Sequence, residues 1–405
     1  MNLRGRRIVL GVTGGIAAYK AADLASRLVK AGAILDVVMT EGATKFVGPL
    51  TFQALTHRPV CLDMWALLRD TDIAHVSLGQ AAELMIIAPA TANTLAKLAH
   101  GIADNLLTST ALAMRAPILV APAMESGMWE HPATQANMAQ LRRRGVHVVG
   151  PAEGRLASGG SGVGRMVEPA EILEEARRVL GLAGDLAGAR LLVTAGGTRE
   201  SLDPVRFLGN RSSGKMGFAL AAAARDRGAL VTLISAPTSL STPAGVTLVA
   251  VETAQQMREA VLERLPACDA LIMAAAVADY RPAHVHAHKI KKTAGGLTLE
   301  LERTPDILMD VAAQREAGGR PRVVVGFAAE TEDLLANARE KLQRKRLDLI
   351  VANDVTASDS GFGTDTNRVI LLDAGGQEAL PLLTKEEVAD QILDRVRDLL
   401  SRAPA

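Results

Sequence analysis

The residues best suited to chemistry in this sequence form two glycine-rich turns that can hold a phosphate. Gly14 and Gly15 follow an apolar run and precede an Ala-rich stretch, and Gly196 and Gly197 occupy the same position in the second half of the chain. Glycine turns the backbone at little steric cost, and the exposed amides at the start of the next helix attract anions. A Ser-Ser-Gly-Lys cluster at 212–215 precedes the second Ala-rich stretch. Each half is therefore predicted to bind phosphate at the start of a helix.

Lysines in the second half extend this prediction. Three of them lie within residues 289–292, and Lys341 and Lys345 are spaced to share one helix face. Lysines between two strands are ordinarily a solvated edge, but together with the second pair they favour a clamp for a triphosphate. The three histidines that alternate along residues 284–288 could instead gather a metal, although metal sites usually draw ligands from more than one element.

Strands and helices must position these residues, and the sequence alternates between the two. Strand-like apolar runs occur at Ile8–Val12, Ile34–Met39, Leu84–Ala88, Ile118–Ala121 and Val146–Val149, and again at Leu191–Val193, Val231–Ile234, Leu271–Ala275, Val323–Phe327, Leu347–Val351 and Val369–Leu372. Helical stretches are predicted at Pro169–Leu180, Ala254–Leu265, Pro305–Arg315, Glu332–Arg346 and Lys385–Ser401. This alternation predicts two doubly wound α/β domains of the Rossmann-like type in tandem.

The length of the chain and its glycine-rich middle locate the domain boundary. A chain of 405 residues is long enough for two hydrophobic cores. The boundary is expected in residues 181–188, which gives domains 1–186 and 187–405. Ligands of such sheets bind at the carboxyl ends of the strands. In the first domain these ends lead into the loops Thr13–Ile16, Ala88–Thr94 and Ala121–Trp129.

Composition excludes several classes of function. The formal net charge is +1 with dispersed basic residues, so no nucleic-acid partner is expected. The two cysteines have neither disulfide nor metal spacing, and no apolar run is long enough to cross a membrane. The first apolar run is also too short for a signal peptide. We expect a cytoplasmic protein.

A nicotinamide dinucleotide is disfavoured as the ligand. The spacing Gly11-x-x-Gly14-Gly15 differs from G-x-G-x-x-G. The second strand ends at Met39-Thr40 where a ribose-binding carboxylate would be required, and the corresponding strand of the second half ends at Ser235. Thr40 is suited to donate to a phosphate instead.

Residues 150–165 (GPAEGRLASGGSGVGR) contain six glycines. Nothing in them is apolar enough to predict a strand, so the run is either a disordered connector or a lid. Because another helical stretch follows it, the run lies inside the first domain. A flap that closes over a site is the preferred interpretation.

Separated motifs resemble two enzyme families. Residues 72–115 and the following PAMESGMWEHPAT resemble the flavin-dependent cysteine decarboxylases. The motifs that resemble phosphopantothenate-cysteine ligase are residues 194–217, AAAVADYRP at 274–282, KIKK at 289–292, TPDIL at 304–308, VGFAAET at 325–331 and ANDV at 352–355. Fused in this order, they resemble the bifunctional enzyme of coenzyme A biosynthesis over almost the whole chain.

The first resemblance implies a flavodoxin-like domain that binds FMN and decarboxylates phosphopantothenoylcysteine. The flavin oxidises the carbon that bears sulfur, which allows CO2 to leave. The FMN residues so implied are Gly14, Gly15, Ile16 and Thr40 at the phosphate, and Ala90, Thr91, Asn93 and Thr94 along the isoalloxazine ring. His75, which we expect to open a strand, matches the active-site histidine and would act as a base or an electrostatic partner.

Two residues depart from the decarboxylase pattern. Glu125 stands where the family commonly has asparagine, and an ionised glutamate cannot donate hydrogen bonds to a substrate carboxylate. Ser158 stands where the flap usually carries a proton-donating cysteine. An alcohol releases its proton far less readily than a thiol with a pKa of about 8.5. Ser158 would then relay a proton through water or another donor.

The second resemblance implies that CTP activates 4'-phosphopantothenate as an acyl-cytidylate, which the amine of cysteine attacks. Asn210 matches the residue that handles this intermediate, Lys289 is the strongest candidate among the lysines, and Asp279 is the expected Mg2+ ligand. The CTP residues so implied are Met273, Ala274, Ala275, Asp279, Lys289, Pro305, Asp306, Ile307, Leu308, Phe327, Lys341 and Lys345.

Two further interpretations stay open beside the bifunctional enzyme. One is a CTP-dependent ligase whose decarboxylase domain is weakened, which Glu125 and Ser158 suggest. The other is a non-catalytic flavin-binding regulatory protein, which the complete set of ligase motifs disfavours. The resemblance also implies a homo-oligomer with decarboxylase trimers and ligase dimers, together a dodecamer.

Overall fold

The computed structural model describes residues 3–65, 73–291, 296–330, 334–354, 361 and 363–402. The chain forms two compact units, Met1–Leu180 and Gly181–Ala405. This division falls at the start of the glycine-rich segment in which the sequence placed the boundary. None of the helices in the described residues is both long and apolar enough to span a bilayer.

The first unit alternates strands and helices, as the sequence pattern predicts. Its strands are β1 Arg7–Val12, β2 Ile34–Met39, β3 Val60–Cys61, β4 Leu84–Ala90, β5 Ile118–Pro122, β6 His147–Val148, β7 Ala152–Arg155 and β8 Ser161–Arg165. Its helices are α1 Ala18–Lys30, α2 Glu41–Thr44, α3 Pro49–Thr56, α4 Ala74–Ala81, α5 Ala92–His100, α6 Leu106–Ala113, α7 Ser126–Glu130, α8 Pro132–Arg143 and α9 Pro169–Gly181.

Six of these strands form a parallel sheet in the order β3-β2-β1-β4-β5-β6. The chain order reverses between β1 and β4, which is the topological switch point where such sheets bind ligands. All seven residues of β4 are buried, as expected for a central strand covered by helices on both faces. The loops after β1, β2, β4 and β5 therefore meet at one edge of the sheet.

The glycine-rich run after β6 is not structureless, and the expectation that it contains no strand was wrong. Strands β7 and β8 form an antiparallel hairpin. Glycine makes the hairpin possible, because a Cβ atom on Gly164 would lie 2.3 Å from the carbonyl oxygen of Met124. The strand forms where its backbone packs directly against a neighbouring loop, which apolar periodicity cannot reveal.

His75 lies in the first turn of helix α4, not at the start of a strand. The buried residues Ala74, Leu78 and Ala82 recur every four positions, and this period places them on one face of a helix. The expected strand was therefore wrong, because a short apolar segment fits either structure until its neighbours are known.

The second unit repeats the alternation and adds antiparallel strands. Its strands are β9 Arg190–Ala195, β10 Arg199–Ser201, β11 Phe207–Gly209, β12 Leu230–Ser235, β13 Thr247–Ala250, β14 Ala270–Met273, β15 Tyr280–Pro282, β16 Leu301–Arg303, β17 Val323–Glu330, β18 Leu349–Asp354, β19 Thr366–Asn367, β20 Val369–Asp373, β21 Gly376–Ala379 and β22 Leu383–Thr384. Its helices are α10 Lys215–Arg225, α11 Ala254–Arg264, α12 Ile307–Gly318, α13 Leu334–Arg344 and α14 Lys385–Arg402, with a 3-10 turn at Leu265–Ala267.

The main sheet of this unit has eight strands in the order β13-β12-β9-β14-β17-β18-β20-β21. The first six are parallel, and β20 and β21 pair antiparallel at the end. Apolar side chains on both faces form two core clusters, one against α10 and α14 and one against α11 and α12. The carboxyl ends of β9, β14 and β17 consequently form a second ligand-binding edge.

Candidate functional sites

The first cleft has a volume of about 740 Å³ and lies at the switch point of the first sheet. It is lined by the loops after β1, β2, β4 and β5 and by the β7–β8 hairpin. Of the residues predicted to bind FMN, seven line it: Gly14, Gly15, Ile16, Thr40, Thr91, Asn93 and Thr94. Ala90 is fully buried at the end of β4, directly before them.

The phosphate end of this cleft is formed by Gly14 and the start of α1. A Cβ atom on Gly14 would lie 2.8 Å from the carbonyl carbon of Gly42, so only glycine allows the two loops to approach this closely. Ala17, the N-cap residue of α1, makes no side-chain capping bond. The amides at this helix start are thus suited to an anion. The arrangement fits the phosphate of FMN.

Threonine side chains fix the neighbouring loops. Thr40 caps α2 by accepting from the backbone N–H of Ala43 at 3.3 Å. The Thr13 hydroxyl donates to the carbonyl of Pro89 at 2.7 Å and accepts from the N–H of Thr91 at 3.2 Å. The loops after β1 and β4 are therefore joined by hydrogen bonds through Thr13.

Glu125 lies on the loop after β5 and caps its own short helix. Its Oε2 atom accepts from the backbone N–H of Gly127 at 2.6 Å. The hairpin is fastened to the same loop, because the N–H of Met124 donates to the carbonyl of Gly164 at 2.9 Å. Ser158 lies in the exposed tip between β7 and β8 and also lines the cleft. The two residues that depart from the family pattern therefore share one site.

His75 is not among the described residues that line this cleft. Its Nδ1 atom is buried and has no hydrogen-bond partner within the described part of the chain. A buried nitrogen of this kind is costly unless a partner satisfies it. The structure does not test the catalytic role predicted for His75, which stays a prediction.

Sequence reasoning missed six charged or polar residues of the first cleft: Glu41, Lys97, Asp104, Asn105, Arg155 and Arg165. Lys97 pairs with Asp104 at 2.7 Å, and this hydrogen bond lowers the pKa of the Asp104 carboxyl. Asn105 caps α6 in a reciprocal capping box with Thr108. The N-x-x-T spacing was the signal that could have identified this helix start.

The second cleft, of about 980 Å³, lies at the carboxyl ends of β14 and β17 and beside the start of α10. Eleven of the twelve residues predicted to bind CTP line it, together with Asn210: Met273, Ala274, Ala275, Asp279, Pro305, Asp306, Ile307, Leu308, Phe327, Lys341 and Lys345. Lys341 belongs to α13 and Lys345 follows its end, where the N–H of Lys345 donates to the carbonyl of Lys341 at 3.0 Å.

Hydrogen bonds join the loop after β14 to the glycine corner after β9. The N–H of Ala278 donates to the Thr198 hydroxyl at 2.9 Å, and the N–H of Ala276 donates to the carbonyl of Gly196 at 2.8 Å. The Asn210 side-chain amide donates to the carbonyls of Ala276 and Val277, at 3.3 and 3.2 Å. Asn210 thus fixes the segment of the cleft wall that directly precedes Asp279.

Lys289 is exposed and, within the described part of the chain, is not among the residues that line the cleft. Its neighbour Ile290 is anchored: the backbone N–H donates to Asp203 Oδ2 at 3.1 Å, and the carbonyl accepts from Arg206 at 2.8 Å. The Arg206 guanidinium and the backbone donors around Asp203 hold the pKa of this carboxyl well below its usual value. Lys292, the last lysine of the predicted group, lies outside the described residues.

Asp279 is exposed on the cleft wall, and Asp306 pairs with Lys345 at 3.0 Å. Within the described residues there is no group of three His, Cys, Asp or Glu side chains that could hold a metal ion, and this includes the histidines at 284–288. A Mg2+ ion here would thus depend on substrate phosphates for most of its ligands, as Mg2+ commonly does.

The second cleft is strongly cationic. The charged side chains that line it in the described part of the chain are Arg211, Lys215, Arg303, Lys341, Lys345 and Lys385 against Asp279 and Asp306. Lys385 was missed by sequence reasoning. A lysine at the first position of a helix is unfavourable, because it lies at the positive end of the helix dipole. This unusual position could have identified Lys385 from the sequence.

Comparisons with known proteins agree with this division into two units. The family model described as "Flavoprotein" matches residues 1–181, and the model described as "DNA/pantothenate metabolism flavoprotein C-terminal domain" matches residues 186–400. The chain is 47% identical over 401 residues to the coenzyme A biosynthesis bifunctional protein CoaBC of Bacillus subtilis (strain 168), covering 98% of each chain.

Two solved structures each match part of the chain. The crystal structure of the C-terminal domain of a coenzyme A biosynthesis bifunctional protein CoaBC is 43% identical and covers 54% of this chain and 98% of that chain, with a TM-score of 0.46. The FMN-dependent cysteine decarboxylase SpaF is 36% identical and covers 40% of this chain and 91% of that chain, with a TM-score of 0.36.

Proposed function

The chain belongs to the family of bifunctional coenzyme A biosynthesis proteins, which have a decarboxylase and a ligase activity, and from this premise we propose how its two clefts divide the work. The second cleft joins 4'-phosphopantothenate to cysteine at the expense of CTP. The first cleft decarboxylates the resulting phosphopantothenoylcysteine to 4'-phosphopantetheine with FMN. The observation that carries this division is the excess of cations in the second cleft, which suits a triphosphate.

In the ligase reaction, the lysines of the second cleft bind the phosphates of CTP. The carboxylate of 4'-phosphopantothenate attacks the α-phosphorus, pyrophosphate leaves, and an acyl-cytidylate forms. The amine of cysteine then attacks the acyl carbon and displaces CMP. Lys341 and Lys345 neutralise the charge that develops on the phosphates, while Lys289 approaches from its anchored segment.

Asn210 and Asp279 have supporting roles in this proposal. The Asn210 amide lies on the cleft wall and would exchange one of its bonds to the Ala276 and Val277 carbonyls for the acyl oxygen of the intermediate. The Asp279 carboxylate would hold Mg2+ jointly with the nucleotide phosphates. The remaining predicted CTP residues form the walls that position the nucleotide.

In the decarboxylase reaction, the residues of the first cleft bind FMN and orient the substrate. When bound, FMN would supply the two-electron oxidation of the sulfur-bearing carbon that makes loss of CO2 feasible. The start of α1 and Thr40 hold the phosphate, and Thr91, Asn93 and Thr94 line the ring. Glu125 shapes the substrate end through its cap of α7, and Ser158 at the hairpin tip relays the final proton. His75 would act as base or electrostatic partner.

We also propose that the protein is a homo-oligomer of decarboxylase trimers and ligase dimers that form a dodecamer. Large apolar side chains are exposed on the first unit, including Trp65, Leu50 and Leu112, at 81%, 74% and 65% of their accessible surface. Apolar side chains this exposed suit a protein interface. Size measurement by light scattering tests the assembly directly.

A second function is favoured by Ser158 and Glu125. With neither the cysteine nor the asparagine of the family pattern, the first unit would bind flavin but turn over slowly, leaving a CTP-dependent ligase with a weakened or regulatory decarboxylase domain. The product that the protein forms from synthetic phosphopantothenoylcysteine separates the two functions. Stoichiometric phosphopantetheine supports the bifunctional enzyme, and accumulation of the oxidised enethiol supports the weakened one.

The test of the main proposal is to incubate the purified protein with FMN, 4'-phosphopantothenate, cysteine and CTP and to identify the products by mass. We expect CMP, pyrophosphate and phosphopantetheine, and phosphopantothenoylcysteine when FMN is withheld. Replacing CTP with ATP controls for the nucleotide. Failure to consume CTP would overturn the ligase assignment, and failure of the protein to bind FMN would overturn the decarboxylase assignment.

A further inference from the structure

Lys385 is a buried cation at an unfavourable position. It is the first residue of α14 and only 4% of its surface is exposed. The positive end of a helix dipole opposes a lysine there, and burial opposes any charge that lacks partners. The ammonium group of Lys385 must therefore be stabilised by other contacts of the protein.

The hydrogen-bond acceptors of Lys385 are backbone carbonyl groups of residues that precede β19. Its Nζ atom donates to the carbonyl of Gly361 at 3.2 Å and to the carbonyl of Thr364. Its backbone N–H donates to the carbonyl of Asp365 at 3.0 Å. The Thr364 hydroxyl bonds the carbonyl of Thr366 at 2.8 Å, which closes the turn. Lys385 thus brings the carbonyl groups of Gly361 and Thr364 around one charge.

A second lysine, on helix α10, bonds residues of the same segment. Lys215, the first residue of α10, donates to the carbonyl of Gly363 at 2.9 Å and to Asp365 Oδ1 at 2.6 Å. Lys215, Gly361 and Lys385 all line the second cleft. Carbonyl oxygens on the wall of a polyanion site would repel phosphates, and two ammonium groups that bond them reverse this effect.

We propose that Lys385 is a positioning residue of the ligase: its ammonium group fixes the carbonyl groups of Gly361 and Thr364 beside the nucleotide cleft and offsets their negative ends near the triphosphate. The proposal rests on CTP as the substrate of this cleft. Nucleotide binding, rather than the bond-making steps, should then depend on Lys385. Its loss should raise the KM for CTP and leave kcat nearly unchanged.

The charge on Lys385 gives the proposal a pH signature. Burial and the neighbouring Lys215 lower the pKa of Lys385 from the ordinary lysine value of 10.5, while Asp365 and Glu386 oppose this shift. The ammonium form is present below that lowered pKa and is lost as the pH rises through it. Affinity for CTP should therefore fall on the alkaline side, before ordinary lysines titrate.

The experiment measures the KM for CTP of Lys385→Met and Lys385→Arg in the full chain. Lys385→Met keeps the stem and removes the charge, and we expect about a tenfold rise in KM for CTP with kcat and the KM for cysteine within about twofold. Arg344→Met, which removes an exposed cation of α13 paired with Glu340, is the matched control and should leave KM unchanged. The decarboxylase rate of each variant serves as an internal check.

Lys385→Arg keeps the test decisive if the methionine variant does not fold. Arginine retains the charge at all accessible pH values, so the alkaline loss of CTP affinity should move to higher pH in this variant. A folded Lys385→Met with unchanged KM, or an arginine variant with an unchanged alkaline limb, would overturn the proposal. Absence of any CTP-dependent ligation by the wild-type protein would instead refute the proposed function of the cleft.

Discussion

The two clefts of this protein are built on the same plan but carry different charge. Each lies at the carboxyl edge of a parallel sheet, beside a glycine-rich turn and the start of a helix. The first has Lys97, Arg155 and Arg165 against three carboxylates, whereas the second has six cations against two. The fold thus determines where a phosphate compound binds, and the side chains on the loops determine which compound it is.

The difference extends to how phosphate is held. In the first cleft the anion site that we propose consists of backbone amides at the start of α1 and of Thr40. Two of its three cations already have carboxylate partners, since Lys97 pairs with Asp104 at 2.7 Å and Arg165 lies 3.6 Å from Glu168. In the second cleft, lysine side chains supply the charge. A monophosphate with a neutral ring suits the first arrangement, and a triphosphate suits the second.

The sharpest test of this separation is Asn210→Ala. Removing the amide should lower the rate of amide formation about 100-fold or more, the usual effect of losing one donor to a developing oxyanion. The decarboxylase reaction should be unaffected. Quenched-flow mass measurement should show the acyl-cytidylate accumulating. Undiminished amide formation would show that Asn210 only supports the cleft wall.

The next largest effect is expected from Ser158→Cys in the first cleft. A thiol at the hairpin tip releases its proton far more readily than the alcohol, so phosphopantetheine formation should accelerate about tenfold. Ser161→Cys, on the exposed start of β8, is the matched control. If the thiol at 158 has no effect on the rate, this position does not supply the final proton.

An effect of similar size is expected from Gly14→Ala. The added Cβ atom would lie 2.8 Å from the Gly42 backbone and would push the phosphate loop apart. We expect about a tenfold weaker FMN affinity in a flavin fluorescence titration, with ligase activity unchanged. Gly48→Ala controls for the loss of a glycine, because a Cβ atom there would meet nothing within 4 Å. Equal FMN affinity in the two variants would contradict the assigned phosphate site.

The smallest effect should come from salt. Raising the ionic strength from about 0.1 M to about 1 M shortens the screening length from about 10 Å to about 3 Å. The KM for CTP should rise roughly fivefold, while the dissociation constant of FMN should change less than about twofold. Equal salt dependence of the two ligands would show that side-chain charge does not distinguish the clefts.

Much of the architecture could be predicted from the sequence, because the buried parallel strands are long apolar runs. Seven predicted FMN residues and eleven predicted CTP residues also line their clefts. The β7–β8 hairpin could not be predicted, since glycine forms strands there only by packing against Met124 and Ser126. The contacts of Lys385 could not be predicted for a similar reason. Its partners are backbone carbonyl groups more than 20 residues away in sequence, and every residue type has such a carbonyl group.

The hydrogen bond between the Met124 N–H and the Gly164 carbonyl has a consequence for substrate exchange. It fixes the base of the β7–β8 hairpin to the loop that contains Glu125, while the tip around Ser158 is exposed. Opening of the first cleft by the hairpin would then be a movement of its tip about a base that stays in place. Substrate and product would then be exchanged without the hairpin detaching, and the proton relay that we propose for Ser158 would return to the same place in every cycle.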